Sequence, residues 1–207
     1  MEYYPVYLNL KGKKCVVIGG GNVAERKVLA LIGCGAKITV ISPELGEDLN
    51  MLKIKGDIEH IGREYRKGDL EGAFVVVGAT DEPSVNKLVY EEANVLNLLL
   101  NIVDVPELCN FIVPSIVKRG DLKLSISTSG KAPALAKKIR LELEKIFGPE
   151  YEFYVNLLGE TRERIKQKYK SSDERNDAWR RILESDILDL IREGKDGLIE
   201  ERIKECI

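Results

Sequence analysis

The stretch KCVVIGGGNVAERK, residues 14–27, decides the fold. Its first five residues form a short β-branched, apolar run, followed by three glycines and a segment with helical spacing. A strand that breaks at glycine and runs straight into a helix is the first turn of a βαβ unit, and here the turn carries the pattern Gly19-x-Gly21-x-x-Ala24. Each position answers a physical need. Gly19 permits the tight turn, Gly21 lets the backbone approach a pyrophosphate, and Ala24 allows close packing of helix on sheet. Asn22 and Val23 open the helix, whose free N–H groups would face the phosphates. The competing reading is a tight turn with no ligand.

Working outward, short apolar runs alternate with helical patterns: KITVIS, IEHIGREY, FVVVGAT, a helix after Pro83, and LLLNIVD. Runs that are apolar nearly throughout suit strands covered on both faces. The alternation predicts an α/β, Rossmann-like parallel sheet in the order 3-2-1-4-5. In that order the carboxyl edge of the sheet is the ligand edge. At the second βα junction stand Ser42, Pro43 and Glu44, where a side chain can bond the ribose hydroxyls; no arginine adjoins Ser42 to greet a 2′-phosphate, which favours NAD over NADP. Ser-Pro-Glu is also a good helix start without any ligand. The strand FVVVGAT is expected to end at Thr80 beside the glycine loop. Asp104 is expected to end the next strand, where a carboxylate can act as a base or simply cap the loop before Pro106.

The pattern changes near residue 114. One more strand, LKLSIST, leads into a glycine turn and a helix from about Ala132 to Phe147, stopped by Gly148-Pro149. Beyond it the chain reads as helical, with Ser171 and Glu174 forming a capping box and a break at Gly194 to Gly197 before a terminal helix. Three parts are therefore expected: a dinucleotide-binding domain over 1–113, a small central segment over 114–150, and an α-helical C-terminal domain over 151–207. Charge follows the same division. Residues 114–145 carry eight basic and three acidic groups in a chain whose net charge is -2. Much of this positive island lies in SISTSGKAPALAKKIR, where Ser127, Thr128, Ser129 and Lys131 precede a helix and could hold a carboxylate or phosphate. The loop lacks the G-K-[ST] of a Walker motif.

Several classes are disfavoured. A localized island is narrower than the basic face of a nucleic-acid binder. No apolar run approaches the ~18 residues of a membrane span. The start, MEYYPVYLNL, lacks a secretory signal pattern, so a cytoplasmic address is expected. Cys15, Cys34, Cys109 and Cys206 show no C-x-x-C spacing, which suggests buried small apolar residues and no metal site. His60, the one histidine, reads as a satisfied edge or core residue, and Trp179 as core.

Taken together, YPVYLNLKGKKCVVIGGGNVAERK, VISPEL, ATDEPSVN and NIVDVPELCNFIVPSIVKRGDLKLSISTSGKAPALAKKIR resemble the precorrin-2 dehydrogenase family, the N-terminal part of siroheme synthase. The resemblance covers about residues 4 to 147. It implies NAD-dependent oxidation of precorrin-2 to sirohydrochlorin, with Asp104 at the family's aspartate position for proton removal. It also gives the positive island a use, because the substrate carries eight carboxylates; Lys118, Arg119, Lys123 and Lys131 become candidate partners. A homodimer built through the central segment is implied. No methyltransferase sequence follows residue 207, so uroporphyrinogen methylation is expected elsewhere. Thr128 replaces a serine common in some members, which questions regulatory phosphorylation there. Two other readings stay open: a bifunctional enzyme that also inserts ferrous iron, and a non-catalytic NAD-sensing module.

Overall fold

A computed structural model describes residues 2–207, which divide into two compact units, 2–113 and 114–207. The first is built on five parallel strands: β1 (Lys14–Ile18), β2 (Lys37–Ile41), β3 (Ile58–Ile61), β4 (Val75–Gly78) and β5 (Leu99–Ile102). Their order is β3-β2-β1-β4-β5, as the alternation of the sequence predicts. Helices α1 (Asn22–Ile32), α2 (Glu47–Lys55) and α3 (Pro83–Val95) make three of the four connections, and a loop joins β3 to β4.

The two-residue period of a strand explains the layering. Val16 and Ile18 of β1 face one core with Val89 and Ala93 of α3, while Cys15 and Val17 face another with Ala24 and Val28 of α1 and Leu49 of α2. Helices thus cover both faces of the sheet, which is why its strands are apolar on both sides. The register is level along the carboxyl edge: Ile18 pairs with both Ile41 and Gly78, and Gly78 with Ile102. Gly19, Ser42, Ala79 and Val103 are therefore the first residues past one common rim.

The second unit opens with an antiparallel hairpin of β6 (Ser115–Arg119) and β7 (Leu122–Ile126), closed through Gly120 and Asp121. The sequence reading found only β7. β6 was missed because SIVKR, flanked by Pro114 and Gly120, reads as a polar connection rather than as a strand. Helix α4 (Pro133–Ile146) ends before Gly148-Pro149, and α5 (Glu150–Lys168), α6 (Ser172–Leu183), α7 (Ile187–Arg192) and α8 (Asp196–Cys206) follow. Ser171 Oγ accepts from the N–H groups of Asp173 and Glu174, and the Glu174 carboxylate accepts from Ser171 N, so the capping box is present. Gly197 lies inside α8 rather than before it. Ile165, Ile182 and Ile203 form the core of this helical part, with Trp179 packed against it.

Candidate functional site

The glycine turn is shaped by two close approaches and one open position. Gly19 has φ +119, and a Cβ there would stand 2.1 Å from the Ala79 carbonyl oxygen, so no larger residue fits. Gly20 is held as tightly from the other side: a Cβ would meet Glu44 O at 2.0 Å, and Gly46 N donates to Gly20 O at 2.9 Å. The sequence motif gave Gly20 no role, because its constraint comes from a loop more than twenty residues away. Gly21 differs from both. It has ordinary φ of -90, caps α1 with no side-chain hydrogen bond, and a Cβ on it would meet nothing within 4 Å. Nothing in the protein requires glycine at 21; open space over a free helix N-terminus suits a dinucleotide pyrophosphate. Asn22 and Val23 form the first turn, and Ala24 is fully buried beneath it, where its small side chain lets α1 lie close to the sheet.

At the end of β2, Ser42 is buried and its hydroxyl donates to Glu44 O at 2.6 Å, holding the turn that carries the exposed Pro43 and Glu44. His60 Nε2 donates to Ser42 O at 2.9 Å, and its Nδ1 lies 3.3 Å from Lys53 Nζ, whose ammonium can only donate. Both ring nitrogens therefore have partners, which makes His60 a satisfied edge residue as the sequence suggests.

β4 ends at Gly78, two residues before the expected Thr80. Thr80 O accepts from Asn86 Nδ2 at 3.1 Å, while Asn86 Oδ1 is buried with no partner. β5 likewise ends at Ile102, so Asp104 stands in the turn beyond the strand rather than at its end. Asp104 has φ +60, a left-handed conformation that costs a non-glycine residue about 1–2 kcal/mol. Its carboxylate receives no hydrogen bond among the described residues. Half-buried Lys27 of α1 lies within electrostatic reach: burial and Arg26 push its ammonium pKa down, while Cys109 and Asp104 push it up.

These groups share one cavity of about 1080 Å³ along the rim, lined by Gly19, Gly21, Asn22, Val23, Ser42, Pro43, Glu44, Thr80 and Asp104, together with Glu64, Tyr65 and Asn86. Of the residues expected from the first unit, only Ala24 is not on its wall. The 62–72 loop, which supplies Glu64 and Tyr65, was not foreseen. It is tied down by Glu92 of α3, a buried carboxylate that accepts from Tyr65 OH, from Gly68 N at 2.9 Å and from Leu70 N at 3.2 Å. Burial and the bond to Glu92 raise the Tyr65 phenol well above its ordinary value.

In the second unit, the turn before α4 uses its own hydroxyls. Ser127 Oγ accepts from Ser129 N at 3.0 Å, Thr128 Oγ1 accepts from Ala132 N at 3.1 Å, and Ser129 has φ +52. Lys131 is exposed and its backbone N–H donates to Thr128 O. Arg119 is already engaged: its guanidinium donates to Phe147 O at 2.8 Å and to Glu144 O at 3.2 Å, closing the C-terminal end of α4. Cys34 is exposed, against the expectation that all four cysteines are buried; the other three are buried. Among the described residues no cluster of three or more His, Cys, Asp or Glu could hold a metal ion, and no helix is long and apolar enough to cross a membrane.

The sheet order, the glycine turn and the rim cavity define a Rossmann-like dinucleotide-binding protein. Residues 6–115 match the NAD(P)-binding family model, residues 119–146 the central region of sirohaem biosynthesis proteins, and residues 155–207 the sirohaem synthase dimerisation region. Siroheme synthase of Methylobacillus flagellatus is 37% identical over all 207 residues, which span 44% of that protein. Siroheme synthase 3 of Aeromonas hydrophila is 40% identical over 91% of this chain and 40% of its own length. The chain thus spans less than half the length of these relatives. A solved structure of SirC, precorrin-2 dehydrogenase, matches with a TM-score of 0.79 and 30% identity, covering 96% of this chain and all of the other. The chain belongs to the NAD(P)-binding family of siroheme synthase and precorrin-2 dehydrogenase.

Proposed function

We propose that the chain is an NAD-dependent dehydrogenase that oxidises precorrin-2 to sirohydrochlorin in siroheme synthesis. The observation that carries this reading is the meeting of Asp104 and the glycine turn in one rim cavity, in a chain 30% identical to SirC over that protein's whole length. Dehydrogenation removes two hydrogens, one as hydride and one as a proton. NAD+, when bound, accepts the hydride. The residues present fit it: Gly21 leaves space over the α1 N-terminus, Gly19, Asn22 and Val23 surround that space, and Ala24 sets α1 close to the sheet. Glu44 can accept from the ribose diol, with Ser42 and Pro43 fixing its turn, and Thr80 borders the nicotinamide half. A 2′-phosphate is disfavoured because the carboxylates of Glu44 and Glu64 line the cavity, and nearby Arg63 in the sequence is bound bidentately by Asp69 at 2.7 Å.

Asp104 takes the proton. A carboxylate that accepts no hydrogen bond among the described residues, on the rim with the glycine turn, is available as a base toward a substrate lying against the nicotinamide. Ser127, Thr128, Ser129 and Lys131 are proposed to hold substrate carboxylates, since exposed Lys131 and the hydroxyl-lined turn precede α4. The reading includes the three-part division at 113 and 150, a homodimer supported by the dimerisation-region match, and a cytoplasmic location, where the four free thiols would stay reduced.

The test is anaerobic turnover of precorrin-2 generated in place, followed by the spectrum of sirohydrochlorin with NAD+ and, separately, NADP+. NAD+-dependent product formation that is slower with NADP+ supports the proposal. A folded protein that binds NAD+ yet leaves precorrin-2 unchanged contradicts it and supports a sensing role.

A further inference from the structure

β5 is an edge strand, and its outer edge is closed by side chains of the segment that follows it. Asn110 Oδ1 accepts from Leu100 N at 2.8 Å and Asn110 Nδ2 donates to Leu98 O at 2.7 Å. One step further along, the Cys109 sulfur accepts from Ile102 N at 3.2 Å and faces two carbonyl oxygens, Ile102 O at 3.2 Å and Val105 O at 3.3 Å, to either of which its S–H can donate. Asn101 Nδ2 approaches the same sulfur at 3.6 Å. The sulfur therefore bridges the backbone on both sides of Asp104, from within the loop that Asp104 tops.

The sulfur acts beside two backbone bonds of the same turn, Val105 N to Ile102 O at 3.3 Å and Val103 N to Gly78 O at 2.9 Å, and adds a side-chain tie beneath a carboxylate that lies within electrostatic reach of Lys27. The Asp104 side chain receives no hydrogen bond among the described residues, so the region its carboxylate can reach is set first by the backbone of its turn, where φ at 104 is +60. That φ is left-handed, a conformation an aspartate tolerates better than most residues and that fixed flanks hold in place. Ile102 and Val105 are the flanks, and the thiol binds both. Burial, which raises its pKa, keeps the group a neutral thiol able to donate.

We propose that Cys109 is the positioning residue for Asp104: its thiol fixes the turn that points the carboxylate into the rim cavity. The proposal rests on the reading of Asp104 as the base. Cys109→Val fills similar space without hydrogen bonds, and Cys109→Ser keeps a donor and an acceptor in a smaller side chain, so the pair separates hydrogen bonding from packing. Both variants, with wild type and Asp104→Asn, are measured for NAD+ affinity by calorimetry and for kcat and KM in anaerobic precorrin-2 oxidation. The valine variant is expected to lose kcat by about tenfold with NAD+ affinity within about twofold, and the serine variant to stay within about threefold of wild type. If the valine variant does not fold by circular dichroism, Cys109→Ala takes its place with the same expectation. Wild-type kcat in the apolar variant while Asp104→Asn is inactive, or a serine variant as impaired as the apolar one, overturns the proposal. Full activity in Asp104→Asn instead overturns the base assignment beneath it.

Discussion

Gly19 lies directly under the Ala79 carbonyl, at a separation that leaves no room for a side chain, whereas two residues later a Cβ on Gly21 would meet nothing beyond its own chain neighbours within 4 Å. The same motif thus holds one glycine required by the fold and one required only if something binds over it. Gly19→Ala is expected to destabilise the protein by forcing Cβ into backbone at φ +119, and Gly20→Ala to do so through Glu44 O. Gly21→Val is expected to leave the melting temperature unchanged and to weaken NAD+ by at least about tenfold, since it crowds the pyrophosphate path. Calorimetric titration beside thermal melts separates these outcomes; wild-type NAD+ affinity in Gly21→Val would remove the ligand from that space.

Glu92 ties the 62–72 loop to α3 through three donors at a buried carboxylate. Removing it leaves Gly68 N and Leu70 N without their acceptor, so Glu92→Ala is expected to cost about 3 kcal/mol, and Tyr65→Phe about 1 kcal/mol, in urea unfolding. Because Glu64 and Tyr65 line the cavity, Glu92→Ala is also expected to weaken NAD+ binding. A stability loss without any change in NAD+ affinity would show that this wall does not touch the cofactor.

Asp69 provides the pH test. Its bond from Arg63, with a further backbone N–H from Arg66, holds its carboxyl pKa below the ordinary value despite partial burial. A depressed folded pKa stabilises the protein above the unfolded value of about 3.9 and is lost as pH falls through the folded value. Asp69→Asn is therefore expected to melt below wild type at pH 7 and to converge with it as pH falls through the depressed folded pKa, below the ordinary carboxylate range. A gap that persists unchanged to low pH would assign the effect to shape rather than to charge.

The sheet was legible because its strands are short, apolar throughout and separated by glycine, and Val16 and Val17 divide between two cores as such strands must. The rim was legible for the same reason, since Ser42, Thr80 and Asp104 each follow a run that ends at one level. What escaped depended on distant partners. Glu92 and Tyr65 are 27 residues apart in sequence. Gly20 is constrained by a carbonyl of the next loop, and Arg119 donates to the end of a helix that begins fourteen positions later. β6 escaped because SIVKR is half polar and needs β7 beside it to read as a strand.

The most direct measurement of the central claim is a pair of titrations on wild type and Asp104→Ala: NAD+ binding by calorimetry, and anaerobic conversion of precorrin-2 to sirohydrochlorin with NAD+ present. If the rim cavity places a base beside the cofactor, the variant binds NAD+ within about twofold of wild type and loses at least about 100-fold in kcat. Turnover at the wild-type rate in a variant that binds NAD+ normally would contradict it.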